Sequence, residues 1–180
     1  MKKGNMVFPE VINNFNVYSG GDRMVGVSGE VSLAELQAIT AEISGAGILG
    51  TYNTSVIGMF QSMSQEVTFR MVNREFFSLM VASRQAELTL RSSIQSVNKE
   101  TGGTLSSQGM RIVMRGRTTA SKFGTVKIAD LMNASVTLEL TYMLIEIGGE
   151  TMLELDKLNS VYKVNGRRKQ KRGTEYGKSR

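Results

Sequence analysis

The chain lacks the side chains on which most enzymatic chemistry depends. Its 180 residues include no cysteine and no histidine, which excludes thiolate nucleophiles, imidazole general bases, disulfides and the usual zinc ligands. Carboxylate pairs, lysine chemistry or oxygen-ligated metals would remain, but the acidic residues are scattered and form no D-x-D or E-x-x-E cluster. We therefore expect a protein without catalytic activity, metal or cofactor.

One motif with a known chemistry is present, in the form G-x-G-x-x-G at residues 45–50. Dinucleotide binding through this motif requires a strand before it, a helix opening at its end and an acidic residue about 20 positions later. The residues that follow, TYNTSVIG, are a poor helix opening. We expect these glycines to allow tight turns and close approach to another surface.

Positive charge is concentrated at the end of the sequence. Residues 167–180 hold seven basic residues and one acidic residue, which equals the whole net charge of +6. This composition predicts a solvated arm. The arm could bind nucleic acid or an acidic protein surface, or it could have no partner. The candidate contact residues are Arg167, Arg168, Lys169, Lys171 and Arg172.

No targeting or membrane segment is evident. The first 15 residues contain two lysines but no apolar stretch of signal-peptide length, and no segment approaches about 18 consecutive apolar residues. We expect a soluble protein that is made in the cytosol and does not enter a membrane.

The elements that must carry any function are mostly strands, and the clearest is a long hairpin over residues 135–164 with its turn at Gly148-Gly149. Side chains on a strand alternate between two faces, so one face is predicted to be apolar and the other acidic. The apolar face contains Val136, Leu138, Leu140, Tyr142, Leu144, Leu153, Leu155 and Val161; the acidic face contains Thr137, Glu139, Thr141, Glu154, Asp156 and Ser160. Strands of about 13 to 15 residues exceed what a small barrel needs. A neighbouring chain could use the surplus length, or the hairpin could simply be long.

The other elements follow from periodicity and turn residues. An apolar stripe after Asn73 predicts a capped helix, and the spacing of Leu33, Leu36 and Ile39 alone predicts a second helix over residues 31–43. Arg111, Arg115 and Arg117 share a strand face that could contact phosphates, be solvated or form salt links. The predicted strands are 14–18, 24–31, 66–72, 86–96 and 110–117; the capped helix is 74–81; residues 44–64 form a long, partly apolar loop and 98–109 a polar turn region.

Several segments, in this order, resemble the major tail tube proteins of contractile-tailed phages. The resemblance covers about residues 8–166. It is carried by NFNVY at 14–18, ISGAGI at 43–48, VIGMFQSM at 56–63, VMRGR at 113–117, and LTY at 140–142 with IEI at 145–147, LELDKLN at 153–159 and YKVNG at 162–166. The resemblance rests on the order of these segments along the chain.

The resemblance implies a fold and a function. The expected fold is mainly β, with two packed antiparallel sheets forming a barrel-like sandwich, one flanking helix and a long stacking loop in a domain over residues 1–166, followed by the basic tail 167–180. It also favours an extended segment over residues 31–43. The implied protein is an inner-tube subunit, assembled in the bacterial host cytoplasm, whose hexameric rings stack into a tube. The lumen would conduct DNA or an effector in a phage or a headless tailocin. The alternative is a structural protein that binds nucleic acid through the basic tail.

The resemblance also implies roles for particular residues and partners. The ring-stacking loop would comprise Ser44, Gly45, Ala46, Gly47, Ile48, Leu49, Gly50, Met59 and Phe60, and the lumen would be faced by Thr137, Glu139, Thr141, Glu154 and Asp156. The implied partners are further copies of the chain and the tail sheath, baseplate, tape-measure and tail terminator proteins. The basic tail, which relatives commonly lack, is expected to point outward to an acidic patch of the sheath.

Overall fold

The computed structural model describes residues 7–81, 83–98 and 103–168. Within them the chain is mainly β, with a single short helix, as expected. The elements are β1 (Val7–Ser19), β2 (Asp22–Arg23), β3 (Ala38–Ile43), β4 (Tyr52–Phe60), β5 (Ser64–Phe69), α1 (Arg74–Leu79), β6 (Ala86–Asn98), β7 (Thr104–Lys122), β8 (Ala134–Ile147), β9 (Glu150–Asp156), β10 (Val161–Val164) and β11 (Arg167–Arg168).

Nine of these strands form one antiparallel sheet. Eight lie in the order β11-β10-β9-β8-β7-β6-β1-β2, and β5 pairs with the first half of β8. The remaining two strands, β3 and β4, form a separate hairpin. Residues 24–28 close the structure, because the Met24 amide donates to the Val17 carbonyl on β1, and the Ser28 amide donates to the Thr68 carbonyl on β5. Backbone pairing therefore runs around the core, which gives the barrel-like shape.

The core lies inside this closed path. Its largest fully buried side chains include Phe69, Phe76, Met114, Leu138 and Leu140. The helix α1 covers one opening, because Phe76 and Leu79 point into the core. Asn73 begins the helix as predicted, since its side-chain oxygen accepts a hydrogen bond from the Phe76 amide at 2.9 Å.

The predicted hairpin at Gly148-Gly149 is confirmed for β8 and β9. Both glycines have positive φ, 59° and 84°, which a two-residue hairpin turn requires at both positions. The second strand is shorter than predicted, because Asp156 ends β9 and a turn precedes β10. The sequence signal for this break was the Asp-Lys-Leu-Asn-Ser run, which is rich in turn residues.

A β-bulge in β8 makes part of the predicted face assignment wrong. Arg115 pairs with Tyr142 but Gly116 pairs with Leu140, so Thr141 has no partner of its own in the ladder. The extra residue reverses the alternation. Beyond it Met143 is buried, and Tyr142 and Leu144 lie on the face away from the core.

Other differences concern the lengths of elements. The predicted strand 24–31 is an irregular segment with one isolated bridge, between Val27 and Phe69. The predicted polar turn 98–109 is largely strand, because β7 begins at Thr104. The predicted loop 44–64 contains β4. Residues 31–43 form no helix and end in β3, which agrees with the extended segment that the resemblance favours over the helix of the periodic pattern. For β3, β4 and β7, tertiary pairing outweighs a weak local preference, whereas residues 24–31 lack the continuous ladder of a strand.

Candidate assembly surfaces

The hairpin formed by β3 and β4 projects from the body of the protein. Its base is anchored where Phe60 meets Tyr162 of β10, with ring centroids 4.8 Å apart. Just after β4, the Lys157 ammonium donates to the Gln61 carbonyl at 2.6 Å. Beyond this base the hairpin is largely exposed. Most of its stability must therefore come from its own pairing or from contact with another molecule.

The predicted stacking residues occupy the end of this hairpin. All seven residues from Ser44 to Gly50 are exposed, and Leu49 is fully exposed. Gly47 and Gly50 have φ of 89° and 96°, so two glycines of the G-x-G-x-x-G motif shape a turn. The motif leads into a strand, which excludes the helix that pyrophosphate binding needs. Met59 is exposed, whereas Phe60 packs inside its own subunit.

The five residues predicted to face the lumen lie outside the core. Thr137 and Glu139 alternate with the buried Val136, Leu138 and Leu140 of β8, and Glu154 and Asp156 flank the buried Leu155 of β9. Thr141 lies at the bulge and accepts a hydrogen bond from the Gln85 side chain at 2.6 Å.

Glu139 has a local structural contact of its own. Its carboxylate accepts hydrogen bonds from the Ser62 hydroxyl at 2.6 Å and from the Met63 amide at 3.2 Å. These contacts fix the start of β5 beside β8. The sequence did not predict this contact, because Glu139 lies more than 70 positions from Ser62 and Met63.

The outer face of the sheet carries both signs of charge, whereas the hairpin residues alone predicted an acidic face. Arg111 contacts Glu146 at 2.6 Å, Arg115 contacts Glu87 at 2.7 Å, and Lys163 contacts Glu154 at 2.6 Å. The hydrogen bond from Arg111 lowers the pKa of Glu146. Arg111 and Arg115 of the predicted basic strand face are thus engaged in salt links within the subunit, one of the alternatives the sequence left open, whereas Arg117 forms no ion pair within the described residues.

Tyr142 lies among these charges. The Arg115 guanidinium is 4.7 Å from its ring centroid, a cation–π geometry. Burial raises the pKa of Tyr142, and the neighbouring Glu154 raises it further. The bulge at Thr141 is what brings this aromatic ring onto the charged face.

Asp156 holds the turn between β9 and β10. Partial burial acts to raise its pKa, but hydrogen bonds from the Asn159 side chain and from the Asn159 and Leu158 amides lower the pKa overall. Because the pKa of Asp156 is lower in the folded protein than in the unfolded chain, its charge stabilises the fold at pH values above the unfolded-state pKa. This stabilisation is lost as the pH falls through the folded-state pKa.

We expect Asp156→Asn to lower the free energy of unfolding by about 1 kcal/mol at pH 7, since charged hydrogen bonds are replaced by neutral ones. The deficit should shrink as the pH falls below about 3.9, the usual unfolded pKa of Asp. Urea unfolding from pH 7 to pH 3 measures this. Glu150→Gln, which removes a carboxylate from the same β8–β9 hairpin, serves as the control. A deficit that is constant with pH would contradict the role assigned to the charge.

The predicted strand 14–18 is the second half of β1, and the sequence did not show that β1 begins at Val7 or that it is an edge strand. Residues 11–16 pair with β6 on one side and with no strand on the other among the described residues. Val11 and Ile12 are more than half exposed. An exposed apolar edge is a template for pairing with another chain. Because two register shifts interrupt the alternation of side chains in β1, the period-two pattern did not predict its full length.

The predicted basic tail is described only in part. The backbone of Arg167 and Arg168 forms β11, which pairs with Val164 and Lys163 of β10. The other proposed contacts, Lys169, Lys171 and Arg172, lie outside the described residues. Across the described ranges, no helix has the length and apolar character needed to cross a lipid bilayer.

Comparisons with known proteins agree with this architecture. A family model described as phage tail tube protein FII matches residues 9–171. The tail tube protein of Escherichia phage P2 is 24% identical over 162 residues, which is 89% of this chain and 92% of that protein. The cryo-EM structure of an extracellular contractile injection system, PVC sheath/tube terminator in the extended state, superposes with a TM-score of 0.55 at 15% identity, covering 77% of this chain and 97% of that one.

The structural match at this identity shows a shared fold, and the sequence matches show the family. The matched residues 9–171 include the projecting hairpin, the charged sheet face and most of β1. The tail tube relatives are structural proteins, which confirms the resemblance and the expectation that the chain is not an enzyme. Because the family model spans most of the sequence, the chain belongs to the phage tail tube protein FII family.

Proposed function

We propose that the chain is the inner-tube subunit of a contractile phage tail or tail-like particle, assembling into hexameric rings that stack into a hollow tube. The observation that carries the proposal is the β3–β4 hairpin. It places a fully exposed Leu49 and a half-exposed Tyr52 away from the core. Monomeric proteins rarely expose contiguous apolar surface of this kind, which marks an interaction site.

Lateral closure follows from the edges of the sheet. The nine-stranded sheet ends at β1 and β2 on one side and at β10 and β11 on the other. A sheet with open edges invites pairing with a neighbour, and ring closure removes those edges. The exposed apolar side chains of β1 would then be covered by the adjacent subunit.

The outer face of the sheet is the candidate lumen lining, with Thr137, Glu139, Thr141, Glu154 and Asp156 on it. Arg111, Arg115 and Lys163 are each held against a carboxylate. These cations present little free positive charge to a passing polyanion. Within the described residues Glu139 and Asp156 form no ion pair and would repel the polyanion, and Arg117 is the one cation of the basic strand face without an ion pair. Such a surface suits a conduit for DNA or for an acidic effector.

The proposal includes the partners and location that a tube subunit needs. Other copies of the chain would contact the hairpin and the edges, and the sheath would contact the outer surface. Terminator, baseplate and tape-measure proteins would meet the ends and the lumen. The tube would form in the host cytoplasm and reside in the virion or tail-like particle.

Electron microscopy of the purified full-length protein tests this function. We expect rings and stacked tubes in negative stain, and in a cryo-EM map the carboxylates of Glu139, Glu154 and Asp156 on the inner wall. A protein that stays monomeric at high concentration would refute the tube proposal. Tubes with these carboxylates on the outer wall would refute the lumen assignment alone.

The second candidate is nucleic-acid binding through the basic tail. It rests on the net charge of +6 carried by residues 167–180. Deleting residues 169–180 would then abolish a salt-sensitive DNA interaction measured by electrophoretic mobility shift. The ion pairs of Arg111 and Arg115 leave less cationic surface for this role than the sequence indicated.

A further inference from the structure

The edge strand β1 borders an apolar groove. The groove has a volume of about 670 Å³ and lies between β1 and residues 23–33. Its floor is formed by Leu90 and Ile112 of the main sheet, which are buried, and its sides include Val25 and Leu33, which are 65% and 45% exposed. Apolar surface at this edge of the subunit is therefore open to a further segment of chain.

The same edge of the subunit is acidic. Residues 7–33, which form β1, β2 and the wall of the groove, contain three acidic residues and one basic residue, a net charge of −2. The acidic residues are Glu10, Asp22 and Glu30, here called the acidic edge, and the basic residue is Arg23; all four are exposed. In the part of the chain that the structure describes, none of them forms an ion pair. The acidic edge can therefore attract a cationic segment.

The opposite edge of the sheet leads into the basic tail. β11 is the last strand on that side. Residues 167–180 carry a net charge of +6, whereas residues 1–166 are neutral overall. When copies of the subunit stand side by side in a ring, the basic edge of one meets the acidic edge of the next. The two edges are thus complementary in charge.

The basic tail begins level with the groove along the strands. Arg168, the last described residue, belongs to a ladder of paired residues that ends at Tyr18 of β1. The residues between them are Lys163, Glu154, Leu144, Val113 and Thr89. Val17, next to Tyr18, lines the groove. Where the ladder continues in step into an adjacent subunit, the tail leaves β11 close to the groove of that subunit.

The length of the tail favours the groove of a neighbour over that of its own subunit. Six strand spacings separate β11 from β1, about 29 Å along the sheet. Tyr176 follows Arg168 by eight residues, which span about 26–29 Å when fully extended. Tyr176 would thus reach its own groove only with every residue extended along the shortest path, whereas a neighbouring edge lies one or two strand spacings away.

The tail contains one side chain that suits the groove. Tyr176 is its only aromatic residue, with an apolar ring to fill the groove and a hydroxyl that can stay in water. Glu175 and Lys178 lie on either side of it in the sequence, and Arg23 and Glu30 both line the groove. Each of the two tail charges therefore has a partner of opposite sign at the groove.

We propose that the basic tail of one subunit, residues 169–180, binds the acidic edge of the adjacent subunit in the same ring, with Tyr176 in the groove beside β1. The inference rests on the proposed ring assembly. The contact joins two different patches and is therefore heterologous, so it closes around the ring. The tail strengthens the ring in this arrangement, in place of the sheath contact that the sequence favours.

Site-directed cross-linking tests this contact, since the chain has no native cysteine. The full-length variant Thr174→Cys/Leu33→Cys, which keeps Tyr176, is assembled under reducing conditions, treated with a short bismaleimide and resolved by denaturing electrophoresis. We expect covalent multimers up to the number of subunits in one ring, at least about tenfold above control, because a fixed contact gives a high effective concentration. The controls are each single variant and Thr174→Cys/Ile128→Cys, whose second site is 95% exposed on the loop before β8.

Three results would overturn the proposal. Rings that cross-link no better than the control pair place the tail elsewhere, on the sheath or on DNA. A cross-linked monomer places the tail in the groove of its own subunit, and a ladder that continues past one ring places it on an adjacent ring. If the first pair does not assemble, Thr174→Cys/Val25→Cys tests the other side of the groove. Failure of the unsubstituted protein to form rings refutes the proposed function itself, whereas rings without the cross-link refute this inference alone.

Discussion

Leu49→Asp is expected to weaken tube formation strongly while leaving the subunit folded. Leu49 is fully exposed in the isolated chain, so the change removes no core contact. In a tube the side chain would be buried, which contributes about 1.5–3 kcal/mol per contact. An aspartate there would also bring an unpaired charge into an apolar site. The protein concentration needed for half-maximal assembly should rise by about tenfold to a hundredfold. Sedimentation and negative-stain microscopy measure this change.

The matched control for this prediction is Ile128→Asp. Ile128 is 95% exposed and precedes β8, away from the hairpin. It should assemble like the unsubstituted protein, and circular dichroism should show the same fold for both variants. Normal tubes from Leu49→Asp would show that the end of the hairpin is not an assembly contact.

Gly116→Ala is expected to destabilise the subunit itself. Gly116 sits at the β8 bulge, and a Cβ there would overlap the backbone of Glu139 and Leu140. Because the clash is with backbone and not with a flexible side chain, the two central strands must separate. Overpacking of this kind costs about 1–3 kcal/mol, occasionally more, and we expect at least about 2. For a chain of this length that lowers the melting temperature by roughly 4–8 °C.

Gly109→Ala provides the comparison on the same strand. A Cβ at Gly109 meets nothing within 4 Å, and the residue has no positive φ. Its effect on the free energy of unfolding should stay within about 0.5 kcal/mol. Urea unfolding under conditions that prevent assembly measures both variants. Equal effects would show that strand propensity, and not the bulge, determines the cost.

The sequence predicts those parts of the fold that depend on local chemistry. The turn at Gly148-Gly149 and the cap at Asn73 were predictable because each needs specific residues at fixed spacing. The bulge at Thr141 was not, since it depends on how β7 and β8 align over their whole length. A shift of one residue reverses every later side chain, and Tyr142 was therefore placed on the wrong face.

The candidate assembly surfaces were predictable to different degrees. The glycine-rich segment indicated an exposed apolar turn. The strand β4 behind it was not predicted, because it contains Asn53 and Gly58, whose residue types are depleted in strands. An apolar groove between β1 and residues 23–33 has no sequence signature. It arises because an irregular segment, residues 23–33, packs beside the sheet.

A single arm on one side of the subunit gives it a direction. The β3–β4 hairpin leaves the body beside β10, and in the part of the chain that the structure describes the opposite edge carries β1 with no such arm. A polymer that repeats one asymmetric contact has two chemically distinct ends. Growth of the polymer should therefore be faster at one end than at the other. A protein that binds the arm-bearing end would not bind the opposite end.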